Sequence, residues 1–160
     1  MLKNEEEEIK IVLTGGHAAT PGLAVIQKLK DLYKKENLLI YWIGSKKAVE
    51  GSSASTLEYR IFPSMGVNFV GLTAGKIQTK LTKHTIPSLL KIPIGFIQSF
   101  FSLLKIKPKV IISFGGYASF PVVFWGWVFR VPVILHEQTS VVGRASFISA
   151  FFLNLFYLLL

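Results

Sequence analysis

The sequence predicts an α/β fold built on an open, Rossmann-like parallel sheet with helices on both faces. Three observations predict it. Continuous apolar runs of strand length recur along the chain, as strands buried on both faces require. They alternate with stretches whose apolar residues fall at helical spacing, the order of a βαβ chain. Glycine-bearing or polar loops follow directly on three of the strand candidates.

IKIVL, residues 9–13, is the first strand candidate, and it leads into TGGHAATPG, where two glycines precede His17 and Pro21 stands near a helix start. Residues 21–35 read as a helix with Leu23, Ile26, Leu29 and Tyr33 on one side and Lys28, Asp31, Lys34 and Lys35 largely on the other. LLIYWIG, 38–44, is the next strand. GSKKAVEGSSAS, 44–55, is a polar loop with at most one helical turn, and VNFVGL, 67–72, is another short strand. A basic loop covers 73–85, followed by a long apolar helix from Pro87 to Leu104 in which Pro93 predicts a kink or break. PKVIISF, 108–114, and VPVILHE, 131–137, are the remaining strand candidates. Between them Tyr117, Phe120, Trp125 and Trp127 read as packing residues.

At 160 residues the chain has the length of one ordinary domain, with a real core. It is 51% hydrophobic and contains no cysteine, which excludes a disulfide scaffold and a thiolate metal site. The start, MLKNEEEEIK, is acidic where a secretory signal would be basic and then apolar. Residues 1–8 are therefore expected to be an acidic disordered tail. The stretch FISAFFLNLFYLLL falls short of the roughly 20 residues of a membrane span; residues 151–160 read as an apolar C-terminal end, a truncated helix or an anchor. The net charge is +9, yet from residue 9 onward 17 basic residues face five acidic ones. Lys76, Lys80, Lys83, Lys91, Lys105, Lys107 and Lys109 lie in a segment without any acid. Such a surface attracts phosphate, as nucleic acid, anionic lipid or a soluble diphosphate. No nucleic-acid-binding motif accompanies it, so nucleic acid is not expected as a partner.

In an open parallel sheet, ligands bind beyond the carboxyl ends of the strands, so TGGH, GGY and HEQT converge on one edge. Glycine loops and helix N-termini there suit an anion. A nicotinamide site is not expected: the first turn lacks G-x-G-x-x-G, and the second strand ends YWIGSKK without the acid that would hold a ribose. No Lys-Ser/Thr pair follows the glycines, which excludes a Walker A loop. His17 either acts as a general base or caps and fills its loop, and Glu137 either does chemistry or binds loop N–H groups. His84 and His136 read as structural or surface residues, and no spacing suggests a metal site. The apolar helix 87–104 fits core and membrane contact equally, because its apolar residues occur all round.

TGGH with PGLAV, MGVNFVGL, KPKVIISFGGYASFP and VPVILHEQ stand in an order and spacing similar to the acceptor-binding half of the MurG family, glycosyltransferase family 28. The resemblance covers residues 9–150, and GGYASFP together with HEQ is its most specific part. It implies the N-terminal half of a GT-B glycosyltransferase, with residues 9–150 as the acceptor-binding domain. The implied reaction is inverting transfer of N-acetylglucosamine from UDP-GlcNAc to undecaprenyl-diphosphoryl-MurNAc-pentapeptide (lipid I), giving lipid II for peptidoglycan, without a cofactor or metal. The implied setting is peripheral, on the cytoplasmic face of the bacterial cell membrane.

Position by position, the resemblance makes His17 the general base. Thr14, Gly15 and Gly16 would lie in the cleft, Gly115, Gly116 and Tyr117 would help to hold the diphosphate of the lipid acceptor, and Glu137, Gln138 and Thr139 would complete the substrate-binding set. An anionic membrane surface would meet Lys80, Lys83, Ile86, Leu89, Leu90 and Lys91. UDP-GlcNAc would be held by a C-terminal donor domain missing from these residues, leaving the isolated domain inactive. The match departs from the family pattern in Val12 and Leu13, where glycines are usual, in one extra residue between His17 and Pro21, and in Thr139, where asparagine is usual. The alternative is a non-catalytic, membrane-recruiting subunit of a split two-chain glycosyltransferase.

Overall fold

The computed structural model describes residues 8–33, 37–48, 54–73 and 85–136, the stretch 85–91 through its backbone. Five strands, β1 (Ile9–Thr14), β2 (Leu38–Gly44), β3 (Asn68–Gly71), β4 (Val110–Ser113) and β5 (Val133–Leu135), form one sheet. Its order is β3-β2-β1-β4-β5, and every pair is parallel. Parallel neighbours need crossover connections, which here carry the helices α1 (Ala19–Leu32), α2 (Leu57–Ile61), α3 (Thr85–Ile106) and α4 (Phe120–Val128). A single 3-10 turn, Phe62–Met65, extends α2.

Strand side chains alternate between faces, and the two faces have separate cores. From β1, Ile11 and Leu13 join Ile26 of α1, Trp42, Phe62 and Phe114 on one side. Val12 points the other way, into Leu103 and Ile106 of α3 and Val122 and Val123 of α4. The sheet is thus covered on both faces, as the apolar runs require.

The helices depart from the sequence reading in four places. Helix α1 begins at Ala19, two residues before the expected start. Beyond the expected polar loop, which ends at residue 55, an unexpected helix, α2, begins at Leu57, capped by Thr56, whose Oγ1 accepts the Tyr59 N–H at 3.3 Å. Helix α3 continues through Pro93 rather than breaking there. A proline removes one intrahelical bond, but tertiary contacts hold the helix beyond it. Gln98 accepts the Thr73 N–H at 2.7 Å, and the Trp125 indole N–H donates to Phe96 O at 2.9 Å. Trp127 packs only in part, 42% exposed with its ring 6.2 Å from that of Phe124, whereas Trp125 packs between Phe100 and Phe129.

Helix α3 also divides cleanly. Gly95, Ser99, Leu103 and Ile106 are buried, whereas Ile94, Ile97, Phe101 and Leu104 are exposed large apolar residues at helical spacing. One face is core and the opposite face is an apolar stripe.

Candidate active site at the switch of the sheet

The strand order reverses between β1 and β4: the chain runs outward from β1 to β3 on one side and from β4 to β5 on the other. The two loops at the carboxyl ends of these strands separate there, leaving the crevice in which ligands of such sheets bind. Each loop carries two glycines, and the loops touch. Gly16 N–H donates to Gly115 O at 3.1 Å, and Phe114 N–H donates to Thr14 O at 2.8 Å. A Cβ on Gly116 would lie 3.1 Å from Gly16 N, so the approach needs glycine.

The β4–α4 loop is shaped by its serines. Ser113 Oγ accepts the Gly115 N–H at 3.2 Å, and Ser119 Oγ donates to Gly116 O at 2.7 Å. Gly115 and Gly116 have φ of 73° and 87°, the left-handed region that glycine enters without steric cost. In the β1–α1 loop the left-handed residue is His17, with φ 58°. Its side chain is exposed on the rim of a shallow cleft lined by Gly15, Gly16, Trp42 and Tyr117. His17 therefore does not fill the core, and α1 has no capping bond from its own N-cap side chain, Ala18.

Trp42 forms the floor. It is 1% exposed, stacks on Phe114 at 5.8 Å and meets Phe62 edge-on at 4.7 Å. Gly22 lets α1 lie close over the indole, since a Cβ there would come within 2.9 Å of it. The sequence PGLAV thus carries a packing requirement as well as a helix start.

Of the residues expected from the sequence, the structure brings Gly15, Gly16, His17 and Tyr117 together around this cleft, with Gly116 against Gly16. Thr14, expected to bind substrate, is instead fully buried: its hydroxyl donates to Ile43 O at 2.8 Å and its carbonyl accepts the Phe114 N–H, so it braces the two loops rather than lining the cleft. Glu137, Gln138, Thr139, Lys80 and Lys83 lie outside the described residues, as do the side chains of Ile86, Leu89, Leu90 and Lys91. His136 ends β5 with its N–H on Ser113 O at 2.8 Å and its ring against Phe114. Among the described residues no three His, Asp or Glu side chains gather into a metal-binding set.

Four lining residues escaped the sequence reading: Ser45, Lys47, Thr56 and Glu58. Ser45 and Lys47 come from the segment read as a polar loop, and Thr56 and Glu58 from just after it. The available signal was Thr56 followed by an acid in the first turn, an N-terminal helix signature. Glu58 is 3% exposed, and its Oε1 accepts the Ala18 N–H at 2.7 Å.

Two glycine loops thus meet at the switch point beside the N-terminus of α4, the kind of place where backbone N–H groups are open to an anion, while the N-terminus of α1 already faces the Glu58 carboxylate. The model of the glycosyltransferase family 28 N-terminal domain matches residues 12–157. Among curated relatives, the UDP-N-acetylglucosamine–N-acetylmuramyl-(pentapeptide) pyrophosphoryl-undecaprenol N-acetylglucosamine transferase of Legionella pneumophila is 35% identical over 90% of this chain and 37% of its own length. The transferase of the same name from Treponema denticola is 37% identical over 88% of this chain and 35% of its own. The chain therefore spans little more than a third of the relatives it matches. The crystal structure of Acinetobacter baumannii MurG superposes with a TM-score of 0.69 at 18% identity, over 92% of this chain and 40% of that one. Sheet order, loop placement and sequence agree with one assignment: the chain belongs to the glycosyltransferase family 28 N-terminal domain family.

Proposed function

We propose that residues 9–150 form the acceptor-binding half of an inverting glycosyltransferase that moves N-acetylglucosamine from UDP-GlcNAc to the undecaprenyl-diphosphoryl-MurNAc-pentapeptide acceptor, making lipid II for peptidoglycan. The observation that carries this reading is the contact of the two glycine loops at the switch of the sheet, with His17 exposed beside them. The activity printed for the relatives supplies the substrates.

In this reading the backbone around Gly115, Gly116 and Tyr117, at the N-terminus of α4, receives the acceptor's diphosphate. His17 takes the proton of the acceptor hydroxyl onto a ring nitrogen as the hydroxyl oxygen attacks the anomeric carbon. The bond from that carbon to the nucleotide diphosphate breaks, and its electron pair leaves with UDP. Attack from the side opposite UDP inverts the configuration. Glu137, Gln138 and Thr139 belong to the same proposed substrate-binding set, and a donor-binding domain supplies the wall opposite.

The test is to combine residues 1–160 with the donor-binding domain of a relative and follow transfer to a lipid I analogue. Residues 1–160 alone give no transfer, because the proximity contribution of about 7–11 kcal/mol needs both walls. His17→Ala lowers turnover of the combined enzyme by about two to four orders of magnitude and leaves acceptor binding nearly intact. Unaltered turnover in His17→Ala overturns the assignment of the base and favours a recruiting subunit.

The setting proposed is peripheral, at the cytoplasmic face of the membrane. Among the described residues no helix is long and apolar enough to cross a bilayer. The apolar stripe Ile94, Ile97, Phe101 and Leu104, with exposed Lys105, Lys107 and Lys109 following it, supports adsorption to anionic lipid. Lys80, Lys83, Ile86, Leu89, Leu90 and Lys91 belong to the same proposed face. Phe101→Ser should weaken co-sedimentation with anionic vesicles by about tenfold, from the lost burial of one aromatic side chain, and added salt should weaken the wild type further.

A further inference from the structure

Glu58 is the buried ionisable side chain among the described residues, 3% exposed. Among those residues it has no ion-pair partner; the ion pair present is Lys10–Glu8 at 3.3 Å. A carboxylate withdrawn from water without a counter-charge is costly unless hydrogen bonds or a dipole replace its hydration. Here its Oε1 accepts the Ala18 N–H at 2.7 Å. Ala18 is the N-cap of α1, so the carboxylate faces the positive end of that helix. The two residues are 40 positions apart, and Glu58 does for α1 what an N-cap side chain would do locally.

Glu58 is itself firmly placed. Thr56, two residues earlier, donates its N–H to Lys46 O at 3.0 Å and its hydroxyl to Ser45 O at 3.0 Å, which fastens α2 to the end of β2. Phe62, at the end of α2, is fully buried against Trp42.

The backbone is therefore anchored on both sides of His17, with the Gly16–His17 peptide lying between the two anchors. The Gly15–Gly16 plane is fixed by Gly16 N–H on Gly115 O, and the His17–Ala18 plane by Ala18 N–H on Glu58. A left-handed φ of 58° at a non-glycine residue persists only where its surroundings over-determine it. The two anchors do that.

We infer that Glu58 is a positioning residue: its carboxylate holds the His17–Ala18 peptide so that the imidazole projects into the cleft in one conformation. This rests on the reading of His17 as the base and goes beyond it by naming the residue that orients it. Glu58→Gln keeps a carbonyl acceptor for the Ala18 N–H. Glu58→Asp draws the acceptor back by one methylene, and Glu58→Ala removes it.

The test has two arms. In the chain itself, ¹⁵N-resolved NMR follows hydrogen exchange of the Ala18 amide and the ¹³Cα shift of His17, which reports its backbone region. Glu58→Asp and Glu58→Ala should speed Ala18 exchange by at least about tenfold and move the His17 shift off its left-handed value, while Glu58→Gln stays near wild type. In the enzyme combined with a donor-binding domain, Asp and Ala should lower kcat by about ten- to a hundredfold with the acceptor KM little changed, and Gln should restore most of the rate.

Unchanged Ala18 and His17 signals in a folded Glu58→Asp overturn the inference, as does a Gln variant as impaired as Ala. Should Glu58→Ala not fold, the Asp and Gln pair decides alone. If the NMR arm behaves as expected but His17→Ala leaves kcat intact, Glu58's hold on the loop is supported while the base assignment falls, so the two failures are distinguishable.

Discussion

The loops after β1 and β4 look alike in sequence, TGGH and FGGY, but use their glycines for different purposes. In the β4–α4 loop both glycines stand at positive φ, 73° and 87°, and buy conformational freedom. In the β1–α1 loop neither does. Gly15 is glycine for room, since a Cβ there would press on Phe114 Cβ at 3.0 Å and Ala18 Cβ at 3.1 Å. The strained position is given to His17. A chain that places its only left-handed residue of this loop at a histidine, with two glycines immediately before it, holds a side chain where folding alone would favour none.

The largest effect expected from this difference is at Gly116. Gly116→Ala forces a left-handed alanine and a Cβ 3.1 Å from Gly16 N, and should lower stability by about 3 kcal/mol in urea unfolding. Gly16→Ala, whose Cβ would meet only ordinary contacts at 3.9 Å and 4.0 Å, should stay within about 0.5 kcal/mol of wild type. Equal losses at the two positions would erase the distinction between the loops.

Gly15→Ala is expected to fall between them, at about 1–2 kcal/mol, through crowding. Phe114→Leu in the same background should not rescue it, because the close contact is to Cβ, which leucine keeps. A rescue would show that ring volume, not backbone spacing, sets the limit.

A small change in stability, and the most telling, is His17→Gly. Relief of a left-handed L-residue is worth about 1–2 kcal/mol, partly offset by the glycine's greater freedom when unfolded. The fold should gain about 0.5 kcal/mol while transfer activity in the combined enzyme is lost. A destabilised glycine variant would mean that the imidazole contributes to folding.

Much of the sheet was legible because buried parallel strands write themselves as apolar runs: IKIVL, LLIYWIG and VIIS need no tertiary information. Helix α2 was not, since five residues among polar neighbours carry too little periodicity and its anchor, Glu58 on Ala18, joins elements 40 positions apart. The same distance explains the site. His17 and the glycines announce themselves as local motifs, whereas Glu58 looks like a solvated acid until α1 is laid beside it. The outward turn of Trp127, despite its aromatic neighbours, depends on which face of α4 meets α3, and nine nearly uniform apolar residues do not encode that.

Trp42 has a consequence of an optical kind. Its indole lies under Gly15 and within the lining of the cleft, while Trp127 stands 42% exposed on α4. With Trp125 and Trp127 replaced by phenylalanine, the fluorescence of Trp42 becomes a gauge of what enters above it. With Trp127 retained alone, a blue shift on adding vesicles would show whether α4 shares the lipid-facing side with the stripe of α3. Two indoles in one small chain thus allow the cleft and α4 to be followed separately, without attaching a label.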